Sequence, residues 1–176
     1  MFNKKLAIVG ASGAVGRVFI ELLDEMYPGT KDLFLVASKR SAGRSLFCGK
    51  QEFIIQDIEE FDFSQVEIAF FSAGAETAEK YAPIAVSKGC TVIDNSSQFR
   101  TDSDKPLIVP EVNSKDLENF KLPGIIANPN CSTAQLVVAL KPIHDLFKIE
   151  RVDVASYQSV SGLSLIHISE PTRHLF

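Results

Sequence analysis

Near the start of the chain, the apolar run Leu6-Ala7-Ile8-Val9 breaks into Gly10-Ala11-Ser12-Gly13-Ala14-Val15-Gly16. Beyond it, Val15, Val18, Phe19, Leu22 and Leu23 recur at helical spacing. A strand with no polar residue has to be covered on both faces, and a glycine turn running straight into a helix is how a parallel α/β sheet begins. The spacing predicts a helix that buries one face through those five residues.

The alternation continues. "LFLVAS" and "EFIIQDI" read as strands, followed by the acidic connector "EEFDFSQ" and by "VEIAFFSAG", an apolar run ending in a small-residue turn. "AETAEKYAPIAVSKGC" places Ala78, Tyr81, Ala82, Ala85 and Val86 on one helical stripe. Gly89 is positioned to cap that helix, and Pro83 predicts a kink or a late start. "TVIDNSS" is a further buried strand, "PLIVPEVN" a short one, and "GIIANPN" the last before Cys131. Leu136, Leu140, Ile143 and Phe147 then mark a helix with a bend expected at Pro142, and "RVDVASYQSVSG" reads as a strand of whatever comes next. Such alternation argues a parallel sheet with helices on both faces, whose ligands sit at the C-terminal ends of the strands.

The turn from Gly10 to Gly16 is spaced G-x-x-G-x-x-G, a variant of the G-x-G-x-x-G fingerprint. Its glycines allow a tight turn, backbone approach to a pyrophosphate and close helix-on-strand packing, while the helix start offers unpaired N–H groups. The turn is also compatible with mere packing. An NAD-selective fold carries an acidic residue at the end of its second strand; here that strand ends in Ser38-Lys39-Arg40-Ser41. Ser38, Arg40 and Ser41 suit a 2′-phosphate, so the cofactor expected is NADP, although an exposed basic loop reads the same way. Ser72, Ala73 and Gly74, after the buried run, are placed to pass beneath the nicotinamide or its ribose, although a plain turn reads the same way.

The formal net charge of -4 and the absence of a basic run interleaved with aromatics exclude nucleic acid as the expected partner. No apolar stretch approaches the ~18 residues of a membrane span, so a cytoplasmic chain is expected. Cys48, Cys90 and Cys131 lack metal-type spacing and suit reduced thiols; no metal is expected.

Cys131 stands where strand gives way to helix, in "ANPNCSTAQ". A helix start favours thiolate over thiol and stabilises a nearby oxyanion, which makes Cys131 the candidate nucleophile. Cys48 and Cys90 read as buried small hydrophobes. Beside a hydride acceptor, a thiolate suits addition to an aldehyde, hydride transfer and retention of the acyl group as a thioester. His144 lies about 20 Å along the helix from Cys131 and reads as a packing or surface residue. Asp94 and Glu111 read as loop-structuring residues before an acid/base pair.

"GASGAVG", "ASKRSAG", "FFSAG", "VIDNSSQFR", "VPEVN", "ANPNCSTAQLVVALKPIHD" and "SYQSVSG" occur in the order and spacing of the aspartate-semialdehyde dehydrogenase family, which the chain resembles from Met1 to Gly162. The resemblance implies a Rossmann-like doubly wound parallel sheet over residues 1–129 and the truncated start of a second, α+β catalytic and dimerisation domain over 130–162. It also implies NADP-dependent interconversion of 4-aspartyl phosphate and aspartate semialdehyde through a cysteine thioester, in lysine, methionine and threonine biosynthesis. By the same resemblance Cys131 is the nucleophile, Gln158 orients the substrate, and Arg100 with Asn130 binds phosphate. The full-length family forms homodimers or homotetramers. The related N-acetyl-glutamyl-phosphate reductases and a noncatalytic nucleotide-binding module are the alternatives; "SSQFR" and "SYQSVSG" favour the first reading over the reductases.

The family's catalytic histidine, its substrate-carboxylate arginine and a phosphate-binding lysine fall beyond Gly162, where its pattern "GAG" stops matching. A truncated reading frame, inactive alone and binding NADP weakly at best, is therefore expected. "LSLIHISEPTR", from Leu163, resembles a translated sequencing adapter, and 163–176 is expected to be a non-native tail.

Overall fold

A computed structural model describes residues 3–157. Gln158 and the expected tail over 163–176 lie outside the described residues. The chain divides into two compact units, Met1–Val138 and Ala139–Phe176. The sheet belongs to the first.

Strand β1 (Leu6–Val9) leads through the glycine turn into α1 (Ala14–Met26) and β2 (Leu33–Ala37), and a hairpin of β3 (Ser45–Cys48) and β4 (Gln51–Asp57) follows. β5 (Ile68–Phe71), α2 (Ala75–Ser87) and β6 (Thr91–Asp94) come next, then a single helical turn α3 (Pro110–Asn113), β7 (Ile125–Ala127) and α4 (Cys131–Phe147). The sheet order is β3-β4-β2-β1-β5-β6-β7. All pairs are parallel except β3 with β4. Chain order runs outward in opposite directions from the seam between β1 and β5, and that reversal opens a crevice at the C-terminal strand ends.

β1 shows why its residues are all apolar. Ala7 and Val9 join the core under α2 with Phe63, Phe71 and Ala82, while Leu6 and Ile8 join the opposite core under α1 with Ile20, Leu23 and Leu35. Side chains alternate across a strand, so a strand covered on both faces has no position left for a polar residue. Fully burying a side chain such as Phe71 contributes about 1.5–3 kcal/mol.

Local readings meet the structure unevenly. The stripe on α2 buries Ala78, Ala82 and Ala85 as expected, and the helix runs through Pro83 from Ala75 without a late start. On α1 the buried residues are Gly16, Ile20 and Leu23, whereas Val15, Val18 and Leu22 are about half exposed. The glycine at position 16 rotates the contact face: it allows the helix to lie against the β1 turn, so the face carrying Val15, Val18 and Leu22 turns outward. Phe19 stays inward enough to stack on Phe70, ring centroids 4.1 Å apart.

"PLIVPEVN" is not a strand. Leu107 makes one isolated bridge to Ala127, and Pro110–Asn113 is helical. Asn113 replaces a strand neighbour: its Oδ1 accepts the Val109 N–H at 2.8 Å and its Nδ2 donates to the Leu107 carbonyl at 2.9 Å. "RVDVASY" likewise pairs with no strand among the described residues; Val152, Val154 and Tyr157 are exposed there. An extended segment becomes a strand only where a neighbour takes its N–H and C=O groups. Helix α4 spans the expected residues and passes Pro142, but it has no fully buried residue.

Candidate active site

Parallel pairing of β1, β5, β6 and β7 brings their C-terminal ends to one edge, and the loops after them carry most of the candidate residues. At Gly10 the backbone turns with φ +88°, and a side chain would run into the Ser72 carbonyl. Its N–H donates to the Val36 carbonyl at 2.8 Å, and its own carbonyl accepts the Gly13 N–H at 3.0 Å. A Cβ at Gly16 would stand 2.9 Å from the Ala11 Cα, so the helix can sit this close only without one. Gly13 caps α1 with no side-chain acceptor, and no acidic residue lies in the first turn. The N–H groups at that helix start therefore face the crevice with no side-chain acceptor at the cap, the arrangement that suits a phosphate anion.

Over this turn lies a cleft of about 550 Å³. Gly10, Ser12 and Gly13 line it from β1, Ser38 from the end of β2, and Ser72 and Ala73 from the end of β5. Gly74 follows them as the N-cap of α2, so a second helix starts at the same crevice. Ala11 is buried beneath the turn, while Ala14 and Val15 are exposed in the first turn of α1. Arg40 is exposed on the loop after β2, and Ser41 is buried, its N–H turned back to the Ser38 carbonyl at 2.8 Å.

The cleft also has a wall that the sequence reading missed: Glu59 beyond β4, and Glu76, Thr77, Lys80 and Tyr81 on α2. Thr77, Lys80 and Tyr81 are spaced i, i+3, i+4 from the turn after "FFSAG", a signal equivalent to the one that located α1. Tyr81 was read as part of the buried stripe; it is half-buried and divides its ring between core and cleft.

At the ends of β6 and β7 a polar network fixes the loops. Asp94 is fully buried and accepts the Ser96 N–H at 3.0 Å and the Ser96 hydroxyl at 2.7 Å. Burial pushes its carboxyl up, and the two Ser96 bonds and the Arg100 charge oppose that. Arg100 donates from Nε to the Asn128 carbonyl at 2.9 Å and from Nη2 to the Asn95 carbonyl at 3.1 Å. Asn128 Nδ2 donates to Asn95 Oδ1 at 2.7 Å. A guanidinium has five N–H donors, so the rest of Arg100 remains available to an anion. Asp94 thus serves loop structure, and Glu111 is exposed in the first turn of α3.

Two residues past Asn128, Asn130 caps α4. Its Oδ1 accepts the Ser132 N–H at 3.0 Å, and its carbonyl accepts the Ala134 N–H at 2.9 Å. Cys131 is the first helical residue; it is exposed, with its Sγ 3.8 Å from Asn130 Oδ1. Because Asn130 supplies the cap, the next position can hold a thiol at no cost to the helix start. Cys48 and Cys90 are buried. Burial pushes the Cys90 thiol up to about 12, and burial together with the Asp24 charge raises Cys48. His144 is exposed in the last turn of α4. Among the described residues no group of three or more His, Cys, Asp or Glu could hold a metal, and no helix is long and apolar enough to cross a membrane.

A parallel sheet whose order reverses at the seam, with a glycine turn and two helix starts meeting there, defines a doubly wound nucleotide-binding domain. Residues 5–120 match the model of the semialdehyde dehydrogenase NAD-binding domain, and the chain belongs to that family. It is 54% identical over 166 residues to the aspartate-semialdehyde dehydrogenase of Shewanella violacea, covering 94% of this chain and 49% of that protein. Among solved structures, aspartate semialdehyde dehydrogenase II of Vibrio cholerae complexed with ASA matches with a TM-score of 0.89 and 50% identity, over 97% of this chain and 51% of that one. The Candida albicans enzyme with NADP matches with a TM-score of 0.70 and 31% identity, over 83% and 48%. The chain thus spans about half the length of the relatives it matches.

Proposed function

We propose that the chain is the N-terminal portion of an NADP-dependent aspartate-semialdehyde dehydrogenase, working in the cytoplasm as part of a homo-oligomer. The observation that carries this reading is the placement of exposed Cys131, capped by Asn130, on the strand-end edge that also holds the glycine turn. β7 lies three strand spacings from β1 in the sheet order, roughly 14 Å at the usual strand separation. A dinucleotide held at the glycine turn and extended across β5 would bridge that gap.

The cleft suits such a cofactor. The start of α1 and the backbone of Gly10 to Gly13 would hold the pyrophosphate, Ser38 and the basic loop with Arg40 and Ser41 would take the adenosine end, and Ser72 to Gly74 would meet the nicotinamide ribose. When bound, NADPH supplies the hydride. The chain's own residues do the remaining chemistry. The Cys131 sulfur attacks the acyl carbon of 4-aspartyl phosphate, the C–O bond to phosphate breaks, and a thioester forms on Cys131. Arg100 and the Asn130 amide hold the departing phosphate, and Gln158 orients the acyl group. After reduction the C–S bond breaks, the aldehyde leaves and the sulfur regains its starting state.

Domains follow from the same reading: residues 1–129 bind the cofactor and 130–162 begin the catalytic and dimerisation domain. Incubating the protein with 4-aspartyl phosphate, quenching in acid and mapping adducts by mass spectrometry tests the proposal. A single acyl adduct on Cys131 that disappears in C131A is expected without dehydrogenase turnover; acylation elsewhere, or none, contradicts the proposal.

A further inference from the structure

Asn95 and Asn128 are each the first residue past a strand, β6 and β7 respectively. The pairing of Asp94 with Ala127 makes them the next opposite positions in that parallel register. The ladder runs on by one bond at each: the Asn95 N–H donates to the Phe71 carbonyl at 2.9 Å and the Asn128 N–H to the Asp94 carbonyl at 2.8 Å. Opposite residues of paired strands direct their side chains to the same face, and here the two amides meet at 2.7 Å, Asn128 Nδ2 donating to Asn95 Oδ1. Both residues are half-buried, which shields that bond from competing water. The backbone carbonyls of the same two residues hold Arg100, through Nε and Nη2. The three residues thus close a hydrogen-bonded ring. Of the five guanidinium N–H donors, the ring takes the one on Nε and one on Nη2, and the remainder sit at the Nη1–Nη2 end.

We infer that Asn95 and Asn128 are positioning residues for an oxyanion: their side-chain bond fixes the separation of the two carbonyls, and the carbonyls fix which end of the Arg100 guanidinium is offered to phosphate. This rests on the reading that Arg100 holds phosphate. A planar fork locked on one side loses little freedom when an anion takes the other, whereas a guanidinium whose carbonyls drift apart has to be ordered by the anion itself. The effect extends to the thiol loop, since buried Pro129, with its fixed φ, stands between Asn128 and the α4 cap at Asn130.

Titration of the nitrogen-15-labelled full chain with inorganic phosphate at constant ionic strength tests this, read from the Arg100 Nε–H resonance, which is assigned by its loss in R100K. In the wild type that resonance and the Asn130 amide are expected to move together to saturation. N95A and N128A are each expected to raise the phosphate half-saturation about tenfold, and the double variant no further than either alone, because each substitution breaks the same bond. A wild type in which phosphate moves neither signal overturns the phosphate reading and the inference with it. Saturation in the wild type with an unchanged half-saturation in both single variants overturns the inference alone. So do effects that multiply in the double variant. Should N128A fail to fold by circular dichroism, N128L, close in shape to asparagine and lacking the donor, decides: an unchanged half-saturation overturns the inference.

Discussion

Arg100 and Asn128 are joined across the ends of β6 and β7 by a 2.9 Å hydrogen bond from the guanidinium Nε to the backbone carbonyl. The residue proposed to hold phosphate is therefore also a strut for the loop that ends in Cys131. Replacing it removes the partner of two carbonyls, since Nη2 holds Asn95 as well. R100A is expected to lower stability by about 1–3 kcal/mol in urea denaturation. R100K, whose single ammonium cannot span both carbonyls in one plane, is expected to recover only part of that loss.

Gly10 is the position where backbone conformation and close approach coincide. An alanine there would need φ +88° and would meet the Ser72 carbonyl. G10A is expected to lose about 1–3 kcal/mol of stability, read by urea denaturation, and G13A, with φ -75° at that residue, distinctly less.

The three thiols differ by environment. Cys131 is exposed, while Cys48 and Cys90 are buried with their thiols raised. Iodoacetamide near neutral pH is expected to label Cys131 well before either of the others, with peptide mapping as the readout. Faster labelling of Cys90 would contradict the geometry.

Cys90 also makes stability depend on alkaline pH. Its folded-state value of about 12 lies above the 9.0 of an unperturbed thiol, so the unfolded chain ionises first. The stabilisation from the neutral buried thiol is complete below pH 9 and is lost as pH rises through 12. At pH 10.5 the wild type is expected to have lost roughly 2 kcal/mol through this group. C90A lacks the effect. The gap between the two proteins in urea denaturation should therefore shrink by that amount between pH 7 and 10.5.

Where one residue carried both a local signal and its tertiary role, the sequence was legible. Gly10, Gly16 and the all-apolar β1 imply the parallel sheet directly, because the physics that forbids other residues there is local. Cys131 at the start of α4 was legible for the same reason. The strand misread in "PLIVPEVN" turned on the Asn113 side chain replacing a ladder partner, which no periodicity reveals. The outward turn of Val15, Val18 and Leu22 depended on how closely Gly16 lets α1 approach the sheet. β3 was missed although Gly49-Lys50 between Cys48 and Gln51 is a two-residue hairpin signal. Glu59 and Lys80 reach the cleft from separate elements, so only the assembled fold brings them together.

The central claim is that a pyridine dinucleotide lies over the turn from Gly10 to Gly16 and extends along the strand ends toward Cys131. Amide chemical shifts of the nitrogen-15-labelled chain, followed during NADP titration, test it most directly. The expected result is saturable movement of the Gly10 to Gly16 amides together with those of Ser72 to Thr77. Saturation with no movement at the glycine turn would contradict the claim.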